Sequence, residues 1–194
     1  MNEIKEQIVV FGGVFDPVHN GHISAALAAL EQTGAAKVVF MPERVPYRKQ
    51  NCTPYDHRLE MLRLATAEYP ELEVVDFPGD RQTIAEAFSW LAQLYPGVEF
   101  IWLIGSDVLK LLGGWRNVQD LSQLGVAELM IAQRSHDSEE SSPQAISLGV
   151  DIRKCTAPNN SISSSQVRSD VQFYKDQLPQ AVYDYILQQN LYSH

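Results

Sequence analysis

Two histidines three residues apart, His19 and His22, are the side chains of this sequence best suited to phosphate chemistry. They follow a glycine pair, Gly12-Gly13, which comes directly after an apolar run typical of a buried strand. Glycine at a strand end can adopt a positive φ and lets a ligand approach the backbone. A helix that begins after it offers free N–H groups and a positive dipole end to an anion. A bound phosphate favours the cationic form of a neighbouring imidazole, which can then donate hydrogen bonds to phosphate oxygens. Residues 12–22 therefore predict a phosphate-binding site.

Two other interpretations of the histidine pair stay open. The stretch matches neither the dinucleotide fingerprint GxGxxG nor the Walker A loop. The histidines could be half of a metal site, although no third ligand is obvious from the sequence. They could also be solvated surface residues, but the surrounding Gly-Gly…Asp-Pro…His-x-Gly-His pattern weakens that interpretation.

The composition predicts one soluble, cytoplasmic domain over residues 1–194. A hydrophobic content of 45% suffices for a packed core, and 15 basic against 24 acidic side chains give a net charge of −9. That acidic balance disfavours a nucleic-acid partner. No signal peptide and no run approaching the ~20 apolar residues of a membrane span are present, so no membrane partner is expected. Cys52 and Cys155 have no metal-ligand spacing and are interpreted as reduced thiols. The sequence leaves the oligomeric state open.

The elements that must position the histidines alternate between apolar runs and segments with helical periodicity. Strands are predicted over 7–11, 37–41, 73–76, 99–104, 128–132 and 152–156, and helices over 22–30, 53–68, 83–94, 163–173 and 179–189. This order predicts an α/β fold, a Rossmann-like doubly wound parallel sheet with helices on both faces and a C-terminal helical segment. Ligands bind outside the carboxyl ends of such strands, which brings 12–22, 105–107 and Arg134 to one edge.

Four stretches resemble segments of one family. Residues 12–22 (GGVFDPVHNGH) resemble the family pattern GG-T/S-FDP-x-H-x-GH, and residues 162–168 (ISSSQVR) resemble ISS-T/S-x-x-R. Residues 104–107 (IGSD), followed by Trp115, resemble IGxD…W, and residues 178–186 resemble the family's C-terminal helix. The chain is similar over nearly its whole length to the bacterial nicotinate-nucleotide adenylyltransferases, members of the HxGH nucleotidyltransferase superfamily.

The resemblance implies an enzyme of NAD biosynthesis. It would move the adenylyl group of ATP to nicotinate (or nicotinamide) mononucleotide and release pyrophosphate. ATP and a pyridine mononucleotide are then its partners, and Mg²⁺ accompanies ATP, held mainly by phosphate oxygens and water. The acceptor phosphate is already anionic, so positioning and charge stabilisation suffice for catalysis.

The resemblance also implies roles for individual residues. Three would be catalytic at the ATP phosphates: His19, His22 and Arg168. Others would bind ATP: Gly12, Gly13, Phe15, Lys49, Gly105, Asp107, Ser164 and Ser165. The acceptor would be bound by Thr83, Trp115, which would stack on the pyridine ring, and Arg134.

Several of these residues have a structural alternative. Thr83-x-x-Glu86 and Ser163-x-x-Gln166 are capping boxes, so the threonine and the serines could simply cap helices. Trp115 could be a core residue and Arg134 a rim residue. Arg48 and Lys49 could form a solvated basic loop, and Arg58 could line the site or pair with a surface acid.

The sequence departs from the family pattern at two places. Val14 stands where the family has threonine or serine, and Arg81-Gln82 stand where it has Ser-Tyr before the threonine that contacts nicotinate. Two alternative functions therefore stay open. One is another nucleotidyltransferase of the superfamily, such as a pantetheine-phosphate adenylyltransferase or a cytidylyltransferase, and the other is a non-catalytic nucleotide-binding protein.

Overall fold

A computed structural model of the chain describes residues 5–46, 51–79, 83–106, 108, 121–132, 148–158 and 161–193. These ranges contain six β-strands and five α-helices. They are β1 (Gln7–Gly13), α1 (Asn20–Thr33), β2 (Lys37–Pro42), α2 (Tyr55–Thr66), β3 (Leu72–Val74), α3 (Ile84–Leu94), β4 (Glu99–Gly105), β5 (Val126–Ala132), β6 (Asp151–Cys155), α4 (Ser164–Ser169) and α5 (Gln180–Gln188). No helix within the described ranges is both long and apolar enough to cross a membrane.

The strands form one parallel sheet in the order β3-β2-β1-β4-β5-β6. The chain adds β2 and β3 on one side of β1 and then returns to the other side for β4. Val10 pairs with Trp102 and Phe11 with Leu103, so the carboxyl ends of β1 and β4 are neighbours at this reversal. Such a reversal opens a crevice beyond the strand ends. The predicted Rossmann-like, doubly wound α/β fold is confirmed.

Alternate side chains of each strand point to opposite faces of the sheet, and each face is covered. Val9 and Phe11 belong to a buried cluster that also takes side chains from α1, α2 and α5. Ile8 and Val10 belong to a second cluster, to which α3 contributes. Because the central strands are buried on both faces, their sequences are continuous apolar runs.

Several element boundaries differ from those predicted. β1 continues through Gly12 and Gly13, which pair with Met41 and Pro42 of β2. α1 begins two residues earlier than predicted, and its N-cap is His19, whose backbone is extended. α4 ends at Ser169 rather than at 173, because the Asp170 carboxylate accepts the Phe173 N–H at 2.9 Å, and such local bonds compete with the helix.

Candidate active site

The glycine pair continues β1 and does not form a turn. Both glycines are extended strand residues, and the positive φ of this segment falls instead on Phe15, at 51°. What Gly13 supplies is space, since a Cβ atom there would lie 3.0 Å from the Phe15 ring. Gly12 and Gly13 therefore do not use the positive φ that glycine permits, and the fold uses the missing side chain of Gly13 instead.

The Phe15 ring, buried at the end of β1, packs edge-on against three other rings. These are Phe11 at 5.4 Å, Phe40 at 5.5 Å and His22 at 5.0 Å between centroids. Edge-to-face aromatic pairs of this kind hold one another in a defined orientation. The orientation of His22 therefore depends on the ring that Gly13 accommodates.

His19 and His22 lie together at the start of α1, as predicted. Their rings stack with centroids 3.7 Å apart, and the backbone N–H of His19 donates to Nδ1 of His22 at 3.2 Å. Because Nδ1 accepts this bond, His22 would donate to a ligand through Nε2. The cationic form that the sequence favours beside a bound phosphate stays a prediction.

Asp16 joins the loop between β1 and α1 (residues 14–18) to three other segments. Its carboxylate is 2% exposed and accepts the Thr53 N–H at 3.3 Å on Oδ2 and the Tyr192 hydroxyl at 2.7 Å on Oδ1. Nη1 of Arg168 donates to the Asp16 carbonyl at 2.6 Å and lies 3.8 Å from Oδ2. Asp16 belongs to the first signature, but nothing in the sequence pointed to Tyr192 as its partner.

The second signature, at the start of α4, contacts the same loop. Ser163 is the N-cap and accepts the Gln166 N–H, whereas the Ser164 hydroxyl donates to the Pro17 carbonyl at 3.0 Å. Ser165 accepts a hydrogen bond from Nη2 of Arg168 at 3.2 Å. Capping therefore belongs to Ser163, while Ser164 and Arg168 bring the two signatures into direct contact.

Arg58 supports this arrangement from inside the protein. Its side chain is fully buried and donates to the carbonyls of Thr53 at 2.9 Å, Val14 at 2.7 Å and Arg44 at 3.1 Å. Neither interpretation offered from the sequence, a residue lining the site or a partner for a surface acid, describes it. A guanidinium suits this position because its planar fork satisfies several carbonyls at once. The bond to the Val14 carbonyl holds the loop through its backbone, whatever side chain stands at that position.

Thr83 performs the capping role that the sequence offered as an alternative. Its N–H and its hydroxyl both donate to the Glu86 carboxylate at 2.9 Å, and the Glu86 N–H donates back to Oγ1 at 3.2 Å. The Thr83 backbone bond, followed by the hydroxyl bond, lowers the pKa of Glu86 below its usual value. Contact of Thr83 with an acceptor substrate stays a prediction.

The remaining predicted residues divide into two groups. Gly105 ends β4 at the same sheet edge as Gly13, paired with Ala132 of β5. Outside the described residues lie Arg48, Lys49, Arg81, Gln82, Asp107, Trp115 and Arg134. Among the described residues, no three His, Cys, Asp or Glu side chains are grouped so that they could hold a metal ion.

Comparison with known proteins agrees with this fold, and the residues matched by a family span both signatures. The family described as cytidylyltransferase-like matches residues 10–170. Two relatives, both named probable nicotinate-nucleotide adenylyltransferase, are similar over nearly their whole length. The Neisseria meningitidis serogroup C protein is 32% identical over 97% of this chain and 99% of its own. The Methylacidiphilum infernorum protein is 33% identical over 96% of this chain and 92% of its own.

A solved structure shares the fold at lower sequence identity. It is Plasmodium falciparum nicotinic acid mononucleotide adenylyltransferase complexed with NaAD, which is 20% identical, has a TM-score of 0.77 and covers 96% of this chain and 97% of that one. The full-length relatives and the family match lead to one assignment. The chain belongs to the nicotinate-nucleotide adenylyltransferases, a family of nucleotidyltransferases within the cytidylyltransferase-like proteins.

Proposed function

We propose that this protein transfers the adenylyl group of ATP to nicotinate mononucleotide. One observation carries the proposal: Ser164 and Arg168 of the second signature bind Pro17 and Asp16 of the first, beside the start of α1. The mononucleotide phosphate oxygen attacks the α-phosphorus, the bond to the bridging α–β oxygen breaks, and pyrophosphate leaves. The attacking oxygen is already anionic, so the protein supplies orientation and charge stabilisation.

The start of α1 is suited to the reacting phosphoryl group. In our proposal the Nε2–H of His22 donates to an α-phosphate oxygen, where negative charge grows in the transition state. His19 holds the His22 ring through its backbone N–H and through ring stacking. The N-terminal end of α1 adds a positive dipole at the same place. Gly12, Gly13, Phe15 and Gly105 would border the nucleotide through backbone groups.

Arg168, Ser164 and Ser165 are proposed to hold the β- and γ-phosphates. A guanidinium carries five N–H donors, and the bonds of Arg168 to Asp16 and Ser165 leave capacity for phosphate oxygens. The Asp16 carboxylate is engaged by Thr53 and Tyr192, and the described residues offer no metal-ligand cluster. We therefore treat Mg²⁺ as part of the MgATP substrate, coordinated by phosphate oxygens and water.

The acceptor is proposed to lie along the same sheet edge. Thr83 at the start of α3 would approach the nicotinate group through atoms that the cap leaves available, with Trp115 stacking on the pyridine ring and Arg134 reaching the nucleotide. The similarity of the chain to full-length nicotinate-nucleotide adenylyltransferases supports this acceptor over a pantetheine phosphate or a cytidylyl reaction.

An acceptor panel tests the proposal. Pyrophosphate release is measured with MgATP and, in turn, nicotinate mononucleotide, nicotinamide mononucleotide and 4′-phosphopantetheine, and CTP replaces ATP in a parallel series. We expect turnover with ATP and a pyridine mononucleotide, with the nicotinate form preferred. Turnover restricted to phosphopantetheine or to CTP, or turnover with neither pyridine nucleotide, would contradict the proposal.

The histidine role has its own test. His22→Ala should lower kcat by about 10² or more, the magnitude of losing one preorganised donor to a developing oxyanion. The matched control is His57→Ala, because His57 pairs with Tyr185 on α5 through Nδ1 at 2.8 Å and is not part of the proposed site. Near-normal kcat in His22→Ala, or an equal loss in His57→Ala, would show that the assigned imidazole role is wrong.

A further inference from the structure

The C-terminal tail (residues 189–193) turns back toward the site after α5. Asn190 has φ 50°, the Asn190 N–H donates to the Leu187 carbonyl at 3.2 Å, and the Leu191 N–H donates to the Ile186 carbonyl at 3.0 Å. These two bonds form a Schellman motif, for which asparagine suits the left-handed position. Leu191 and Tyr192 are thereby packed against the same buried cluster that contains Phe11, Phe15 and Val18.

Tyr192 is held in place by more than the turn. It has φ 61°, a left-handed conformation that is unfavourable for a bulky residue and persists where surrounding contacts enforce it. Its hydroxyl donates to Asp16 Oδ1 at 2.7 Å, and the Thr53 side chain is a second partner of that hydroxyl. Burial raises the pKa of Tyr192, and the charge of Asp16 raises it further. The hydroxyl therefore keeps its proton and stays a donor throughout the range of enzyme assays.

Asp16 connects the Tyr192 hydroxyl to the proposed site. It precedes His19 by three residues, its carbonyl binds Arg168, and its buried carboxylate depends on donors from Thr53 and Tyr192. We propose that Tyr192 is a positioning residue for adenylyl transfer, which acts through Asp16 to hold the 14–18 loop and with it His19, His22 and Arg168. This inference rests on the proposed function for its kinetic part only.

Tyr192→Phe is the variant that tests the inference, because it keeps the ring and removes one oxygen. A buried carboxylate oxygen loses a charge-assisted donor, so the loop shifts to regain a partner. We expect kcat to fall about 10-fold, less than the ~100-fold that a 1 Å misplacement can cause. The KM values of both substrates should stay within about 2-fold, because phosphate and base contacts remain. A merely structural tyrosine would lower stability and leave kcat unchanged at a temperature where the variant is fully folded.

Tyr183→Phe is the matched control. Tyr183 lies on α5, and its hydroxyl binds the side chain of Gln172 on the surface rather than Asp16. A second readout needs no activity: the ring ¹H–¹³C signals of His19 and His22, assigned with His→Gln variants, should shift in Tyr192→Phe and stay in place in Tyr183→Phe. Unchanged histidine signals, wild-type kcat, a rise in KM alone, or an equal loss in Tyr183→Phe would each overturn the inference. If the wild-type protein makes no dinucleotide, the proposed function fails, while the histidine signals still decide the link from Tyr192 to the loop.

Discussion

Gly13 offers a quantitative test of how the end of β1 is packed, with Gly12 beside it as the control. A Cβ atom on Gly13 would meet three Phe15 ring atoms at 3.0, 3.2 and 3.3 Å, whereas a Cβ on Gly12 would meet Nε1 of Trp102 at 3.7 Å. Ordinary carbon contacts are about 3.5–4.0 Å, so Gly13→Ala forces the ring to move and Gly12→Ala does not. The ring cannot move alone, because Phe11, Phe40 and His22 pack against it.

Overpacking of this kind costs about 1–3 kcal/mol. Both glycines have extended backbones that alanine can adopt, so each variant also gains about 0.4–1 kcal/mol from a less flexible unfolded chain. This gain cancels when the two variants are compared. Gly13→Ala should therefore be about 1–3 kcal/mol less stable than Gly12→Ala. At about 2–4 °C per kcal/mol for a chain of this size, the difference in Tm is roughly 2–12 °C.

Urea unfolding of both variants without nucleotide measures this difference, since substrate binding then has no influence. An unchanged urea dependence of the unfolding free energy would show that both variants unfold as the same two-state unit. Equal stabilities, or a Gly13→Ala protein more stable than Gly12→Ala, would refute the argument that Phe15 needs the space at Gly13.

Three further predictions concern residues around the site. Arg58→Met should lower the free energy of unfolding, measured in urea, by about 3 kcal/mol, because it leaves three part-buried carbonyls without their donor. A loss under about 1 kcal/mol would contradict the role of Arg58 as the donor to these carbonyls. Thr83→Ala should lower the free energy of unfolding by about 1 kcal/mol, and Thr83→Ser should lower it much less, because serine restores the cap. Equal thermal stability of the two variants would argue against capping. Burial raises the pKa of Cys155 to about 11, so about one thiol in a thousand is ionised at pH 8. A thiol reagent should react rapidly with Cys52 in the native protein and with Cys155 only after unfolding. Rapid reaction of both thiols in the native protein would contradict this.

The sequence predicted the sheet well because the strands are buried on both faces and leave uninterrupted apolar runs. It also predicted that His19 and His22 lie together, because residues three apart share a helix face. The role of Gly13 could not be read in the same way. A glycine pair at a strand end fits either a special dihedral or a close contact, and only the position of the Phe15 ring distinguishes them.

The contacts that support the site could not be predicted from the sequence, for a different reason. Arg58 binds three carbonyls in two loops, the one before α1 and the one before α2, and Tyr192 is 176 positions away from Asp16. No local spacing encodes such pairs, because they arise from how α2 and α5 pack together against the sheet. The sequence motif marked Asp16 as part of a signature, and tertiary structure alone identified the groups that hold its carboxylate.

The central claim is that a phosphate oxygen attacks the α-phosphorus of ATP at the junction of the two signatures. Parallel reactions with [α-³²P]ATP and [γ-³²P]ATP, each with nicotinate mononucleotide and Mg²⁺, test it most directly. We predict that the α-label appears in a dinucleotide and the γ-label in pyrophosphate, in equal amounts. A γ-label on the mononucleotide or in inorganic phosphate would place the cleavage at the β–γ bond and contradict adenylyl transfer.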